Sequence, residues 1–563
     1  MESLKRRPQT YWKLCLLYLL AIIILTYPGI MSFASSAIGH PEASVGCHVW
    51  VIWWAQNHFG DFQNDLIFYP YGADIIQLYG SDLLSPLLFA WLPFSPVFLY
   101  NSWLFILLLV GALGMHTLLK YNENTDSQAF IAGLFFIAAP FFQHEILNGT
   151  SELLSTGFLP WFVYFWMRIF ERPSSKDGWK IGIIAGILLT SSAYNPFFLL
   201  LFAMVFLAHR SCTQLSAIFP KGITLSIKSA LLGFAPFFGI TIWLQLQHGA
   251  LETFSRRIDW LSLEQSLPDS YVNIDGWFNP SQRDFPVIMN LPDGGQFEYW
   301  TTCTPYLGIF AIIATLVGWR NFGRSKLKMM RWLLPISMLI AMGPYLRLNG
   351  NVLSIWNHPI PLPAATIAYL FPLFAITAIH AYRYTAVVVL CISTMAVQKL
   401  HSKWWILILA IEFLWLSPNP HPQPNTPIPK DSSTLQYLAK LPDGAVFTFP
   451  IAKENLHDLG QVLLAQTIHG KPVHDGGIHR RAGFQATQLF RDNYVVDELS
   501  MRWNMTFPSQ MESKLTFQYL YHLGYRYILA PSDNMSAVEY GNGLWKEPTH
   551  QDAQWTLWTL PSD

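Results

Sequence analysis

The sequence predicts a polytopic α-helical membrane protein of about eleven spans ending in a soluble α/β domain, and three observations carry that expectation. Of 563 residues, 52% are hydrophobic and only 12% charged, about half the charged share of an ordinary soluble chain. Apolar stretches of spanning length recur from Lys13 almost to Ser417. Beyond them, after the Pro-rich run SPNPHPQPNTPIPK, the pattern changes to short alternating helix and strand segments.

Taken in order, the spans fall at 13–36, 99–119, 128–143, 152–170, 180–194, 196–209, 223–246, 304–320, 330–346, 383–398 and 403–417. The first resembles a signal peptide, with a basic start and small residues before Ile38, but so many spans follow that it reads as an uncleaved anchor. Cations then fix the sidedness. Lys5, Arg6, Arg7, Lys13, Lys120, Arg168, Arg172, Lys176, Lys180, Arg210 and Arg331 fall on one side. The opposite loops hold few, among them Arg256, Arg257, Arg283, Arg347 and Arg383. By the positive-inside rule the N-terminus is cytoplasmic and an odd span count puts the C-terminus outside.

Two segments of the first outer loop, HVWVIWWAQNHF and DLLSPLLFAWLPF, read as helices lying in the membrane interface. ATIAYLFPLFAITAIHAYR, with its central Pro, reads as a partly inserted outer segment. The domain plan is therefore a transmembrane domain over 1–417, with outer loops 37–98 and 247–303, a stiff linker over 418–433 and an extracytoplasmic α/β domain over 434–563. Cys47 and Cys303 lie on one side and are a candidate pair. Thirty-five basic residues balance 35 acidic ones, so no basic surplus points to nucleic acid. With no phosphate-cradling Gly loop and no dinucleotide fingerprint, ATP-driven and redox chemistry are not expected. HDGGIHRR in the tail reads as a Gly-bearing loop.

The order of parts, together with CHVWVIWWAQ, FYPYG, NGTSELLSTGFLPW, PYLG, YRYT and LPDGAVFTFP…HGKPV…LGYRYILAP, resembles the GT-C superfamily and a bacterial group within that fold. The resemblance covers nearly the whole chain. It implies a membrane glycosyltransferase, hexosyl or pentosyl, that uses a polyprenyl-phosphate sugar donor. The acceptor would be a glycan, lipid or protein hydroxyl on the outer face of a bacterial inner membrane. It leaves open a divalent metal ion and implies no other cofactor. The chain departs from the pattern in one respect: the first loop reads GHPEASVGCHVW, where an Asp that the resemblance implies closer to CHVW is replaced by Ser44 or its neighbours, so only Glu42 supplies a carboxylate there.

Transfer to a hydroxyl needs a carboxylate to take the proton. The implied catalytic acids are Glu42 as base, with Glu145 and Glu298 as orienting acids or metal ligands. His48, His144 and Glu152 are substrate-binding candidates, although Glu152 at a helix start, with Ser151 as cap, has a sufficient structural reason to be there. The departing lipid phosphate calls for cations, and Arg383, Arg256, Arg257 and Arg347 are the candidates. Two rivals stand beside this reading: a non-catalytic protein of the same fold that binds or hands over lipid-linked glycans, and a transporter. No internal repeat supports the second.

Overall fold

The computed structural model describes residues 8–41, 43–76, 82–213, 219–247, 271–279, 285–290, 296–301, 305–323, 325–370, 380–399, 404–417, 419, 421–448, 456–474 and 510–561. The membrane part runs α1 (Pro8–Leu25), α2 (Val45–His58), α3 (Leu84–Phe89), α4 (Pro96–Tyr121), α5 (Asp126–Ala138), α6 (Pro140–Asn148), α7 (Ser151–Leu154), α8 (Leu159–Glu171), α9 (Ser175–Ser191), α10 (Asn195–Thr213) and α11 (Ile223–Gln247). It continues with α12 (Ile309–Phe322), α13 (Met330–Ala341), α14 (Pro363–Leu370), α15 (Thr385–Ala396) and α16 (Trp404–Ile411). Every expected span overlaps at least one of these helices. Among the described residues five are long and apolar enough to cross a bilayer: 96–121, 126–148, 151–171, 195–213 and 223–247. The chain is an integral membrane protein with a sheet-containing C-terminal domain.

Small residues set how closely the helices approach. Gly178, Gly182 and Gly186, one turn apart on α9, lie against α11, where an added Cβ would strike Ser226 O, Ala230 O and the Phe237 side chain. This is the small-residue packing that membrane helices use when hydrophobicity offers no drive to associate.

The first span is shorter than expected. Helix α1 stops at Leu25, because Pro28 has no N–H for a ladder, and Ser36–Ile38 becomes strand β1 instead. Asn101 fixes that strand, accepting from Ile38 N at 2.9 Å and donating to Ser36 O. The partner of β1 is strand β4 (Asn425–Pro427), antiparallel, within the Pro-rich run. Before it come strands β2 (Phe285–Asn290) and β3 (Gln296–Thr301), paired with each other.

The C-terminal domain holds helices α17 (Ser433–Lys440), α18 (Leu456–His469), α19 (Gln510–His522) and α20 (Met535–Trp545). Its sheet takes the order β5 (Ala445–Thr448), β6 (Tyr525–Pro531), β8 (Trp555–Thr559) and β7 (His550–Gln551). The β5–β6 pair is parallel and the others antiparallel. The helix and strand segments read from the tail are all present, and α20 is additional. Asp552 ties the domain's start to its end: Ser432 Oγ at 2.7 Å and Thr434 N at 2.9 Å donate to Oδ2, and Gln554 N and Trp555 N donate to Oδ1. Burial pushes the Asp552 carboxyl up, but these donors outweigh it and hold it down to about 2. A depressed carboxylate stabilises the fold above its unfolded pKa near 3.9, and that contribution is lost as pH falls through the folded value. Asp552→Ala is expected to cost about 1–2 kcal/mol at pH 7, and thermal unfolding should show the gap to wild type narrowing below about pH 4.

Helix α2 corrects the expectation of an interfacial helix. It is buried nearly all round, which is what an apolar circumference requires. Val45, Val49 and Ile52 join the membrane core. Cys47, Trp50, Val51, Trp54 and Ala55 join the core of the C-terminal domain. Trp50 Nε1 donates to Gln466 Oε1 at 2.7 Å. A Cβ on Gly46 would lie 2.6 Å from the Gly460 carbonyl oxygen on α18. Gly46→Val is therefore expected to destabilise the protein by about 1–3 kcal/mol through overpacking, as a fall in the unfolding temperature. Cys303 lies outside the described residues.

Candidate functional site

The site forms where the end of α6 meets the first loop. Gly149, in the left-handed region at φ +74°, ends α6 and reverses the chain into α7. The first loop is sewn to that turn: His40 N donates to Leu147 O, Ser44 N to Asn148 O, and Ser44 Oγ to Asn148 O at 2.6 Å. Ser44 therefore serves as a structural tie between the first loop and the α6–α7 turn.

Three side chains from three elements converge beside this turn: His48 from α2, Asp82 just ahead of α3, and Glu152 from α7. His48 Nδ1 lies 3.7 Å from Asp82 Oδ2, and His48 Nε2 lies 3.5 Å from Glu152 Oε2. Asp82 Oδ2 accepts from Ser85 Oγ at 3.0 Å and Ser151 Oγ at 3.5 Å. Glu152 Oε2 is buried with no hydrogen bond. Ser151 does not cap α7, as the sequence reading had it. Thr150 holds the N-cap position without a side-chain bond, and the Ser151 hydroxyl is spent on Asp82. Burial disfavours the His48 imidazolium, but the fields of Glu152 and Asp82 outweigh it and hold His48 above its ordinary pKa.

A second group lies alongside. Glu145 and His144 on α6 are fully buried, with His144 Nε2 3.7 Å from Glu145 Oε1 and 3.0 Å from Asn148 Nδ2. Thr150 Oγ1 donates to Glu145 Oε2, and Glu145 Oε1 has no hydrogen bond. Arg383, just ahead of α15, stacks its guanidinium 4.3 Å over the Tyr194 ring and 5.9 Å from that of Tyr382. Its Nε is buried without a hydrogen bond, and its charge acts on both Glu145 and Glu152. Arg383 thus links the two groups.

The structure brings together His48, His144, Glu145, Glu152 and Arg383. Arg347 is buried over the Tyr271 ring at 5.4 Å. Glu42, Arg256 and Arg257 lie outside the described residues, as does the side chain of Glu298, whose backbone pairs with Ile288 across β2 and β3. The sequence pattern singled out neither Asp82 nor Tyr194. The signal for Asp82 was the Ser three residues on, a hydroxyl able to orient its carboxylate.

One imidazole and two carboxylates, with ligand atoms all within 4.8 Å of one another, fit a divalent cation of the zinc or manganese type. The mutual spacing is only slightly wider than two metal–ligand bonds of about 2.1 Å span, and the unsatisfied Glu152 oxygen is a donor-free ligand atom.

No protein-family model matches the chain, and no curated protein is similar to it. Among solved structures it is similar to the Archaeoglobus fulgidus oligosaccharyltransferase. The complex with Zn and sulfate aligns at 12% identity and TM-score 0.47, over 92% of this chain and 68% of that one. The apo form aligns at 12% identity and TM-score 0.49, over 93% and 70%. ArnT from Cupriavidus metallidurans bound to undecaprenyl phosphate aligns at 11% identity and TM-score 0.42, over 99% of both chains.

Proposed function

We propose that the chain is a GT-C-like membrane glycosyltransferase that moves a sugar from a polyprenyl-phosphate donor to an acceptor hydroxyl at the outer face. The observation that carries this reading is the meeting of Glu152, Asp82 and His48 with a half-buried Arg383, at one end of the spans. That is a proton acceptor beside a phosphate-binding cation. The acceptor oxygen attacks the anomeric carbon, its proton passes to the Glu152 carboxylate, and the bond from that carbon to the phosphate oxygen breaks. The electron pair leaves with the polyprenyl phosphate, whose charge Arg383 stabilises. Asp82 and His48 orient Glu152. A divalent cation, held by His48, Asp82 and Glu152, would add positive charge at the departing phosphate. Glu152 offers two oxygens, so one remains available to the hydroxyl. Glu145 orients Arg383, and Glu42 is the first-loop acid of the same reading.

The experiment is turnover of a polyprenyl-phosphate-linked sugar by reconstituted protein, with and without chelator. Release of polyprenyl phosphate that is lost on replacing Glu152 supports the reading, and no turnover with any hexosyl or pentosyl donor contradicts it. Ser44, bound to Asn148 O instead of presenting an acid, favours the non-catalytic reading as the alternative. Under that reading the lipid-linked sugar is bound and not consumed.

A further inference from the structure

The spans that carry the site at one end carry a second cavity at the other. Asp126 opens the helix pair that ends in Glu145 and Asn148, and Arg168 and Arg172 close the stretch that begins at Glu152. Between these far ends and α1 lies a cavity of about 710 Å³, the size of a small-molecule site. The charge asymmetry of the loops assigns this end to the cytoplasm.

Its lining is two-sided. Leu14 and Leu17 of α1 and Phe130 of α5 give an apolar wall that continues down the spans. Around the mouth stand Lys13, Lys120, Arg168, Arg172 and Lys326, against the carboxylates Glu123, Asp126 and Glu171, a formal surplus of two positive charges. Lys120 is paired with Asp126, Lys326 with Glu123 and Arg168 with Asp177, each at 2.9 Å. Among the described residues no carboxylate pairs with Lys13 or Arg172. Lys13 and Arg172 both line the cavity beside its apolar wall, and among the described residues Glu171 is the one lining carboxylate without an ion pair.

We propose that this cavity holds the headgroup of an acidic phospholipid of the cytoplasmic leaflet, with the phosphate between Lys13 and Arg172 and an acyl chain along Leu14 and Leu17. Charge complementarity selects an anion, and the apolar wall at helix-end level selects one that carries chains. The site is separate from the transfer chemistry and independent of it.

Native mass spectrometry of the full chain, released from nanodiscs of equal phosphatidylglycerol and phosphatidylcholine, tests this. Wild type should retain phosphatidylglycerol in preference to phosphatidylcholine, and Lys13→Gln/Arg172→Gln should reduce that preference about tenfold or more. Lys176→Gln/Lys221→Gln, which removes two exposed cations outside the cavity, should leave it unchanged. Equal retention in wild type and the Lys13/Arg172 variant would overturn the proposal. So would displacement of the lipid by millimolar inorganic phosphate, which would reassign the cavity to a soluble phosphate ester.

Discussion

Glu152→Gln should slow sugar transfer by about 10²–10⁴-fold, the range for losing a positioned proton acceptor, while leaving the protein folded. Gln keeps the shape but has neither the charge nor the basicity of the carboxylate. Glu152 Oε2 accepts no hydrogen bond, so the exchange breaks none there, and with the Gln carbonyl oxygen turned toward His48 the unfolding temperature should hold within a few degrees. His48, left with Asp82 as its one carboxylate neighbour in the cluster, should lose some hold on the reacting groups, and His48→Ala should share the direction of the effect. A Glu152→Gln enzyme with wild-type initial rates would remove Glu152 as the base and return that role to Glu42.

Arg383→Gln carries the second large effect, and it acts on stability as well as turnover. The guanidinium lies over Tyr194 and its charge answers Glu145 and Glu152. Removing it takes away the cation whose field reaches both carboxylates, and the unfolding temperature should fall along with turnover. The two consequences are separable. Arg383→Met combined with Glu145→Gln removes the cation together with the carboxylate beside it and should recover part of the stability, yet donor binding and turnover should stay lost. Arg383→Lys keeps the charge but not the planar stack or the fork of donors, and should fall between. Recovery of turnover in the charge-deleted double variant would show that Arg383 serves folding alone.

Much of the fold was legible because hydrocarbon thickness and backbone hydrogen bonding leave a spanning segment few options. The tail was legible because its strands are short, nearly continuous buried runs bounded by turn residues, separated by segments of helical length. His144, Glu145 and Glu152 stood out in the sequence because ionisable groups at a membrane edge need a reason to be there, and the structure places all three around the Gly149 turn.

What escaped depended on contacts between distant segments. Asp82 looked like other loop acids until α3 brought it to His48, across 34 residues of chain. Tyr194 gave no signal beyond its type and matters because the Arg383 ring contact selects it. The Trp-rich helix was read from its composition as interfacial. Its burial comes from the C-terminal domain packing on it through Gly460, Leu463 and Gln466, a partner more than 400 residues away. The Pro-rich run likewise lends Asn425–Pro427 to a strand with Ser36–Ile38, since Pro tolerates an edge position in a two-stranded ladder.

The central claim is that a lipid-linked phosphate sits against Arg383 next to the carboxylates. Extracting the lipids that co-purify with the detergent-solubilised protein and identifying them by mass tests it most directly, with wild type and Arg383→Gln prepared in parallel. The account predicts polyprenyl phosphate, or its glycosylated form, with wild type and its loss from the variant, and the sugar's mass would then name the donor. Only bulk phospholipid with both proteins would contradict it.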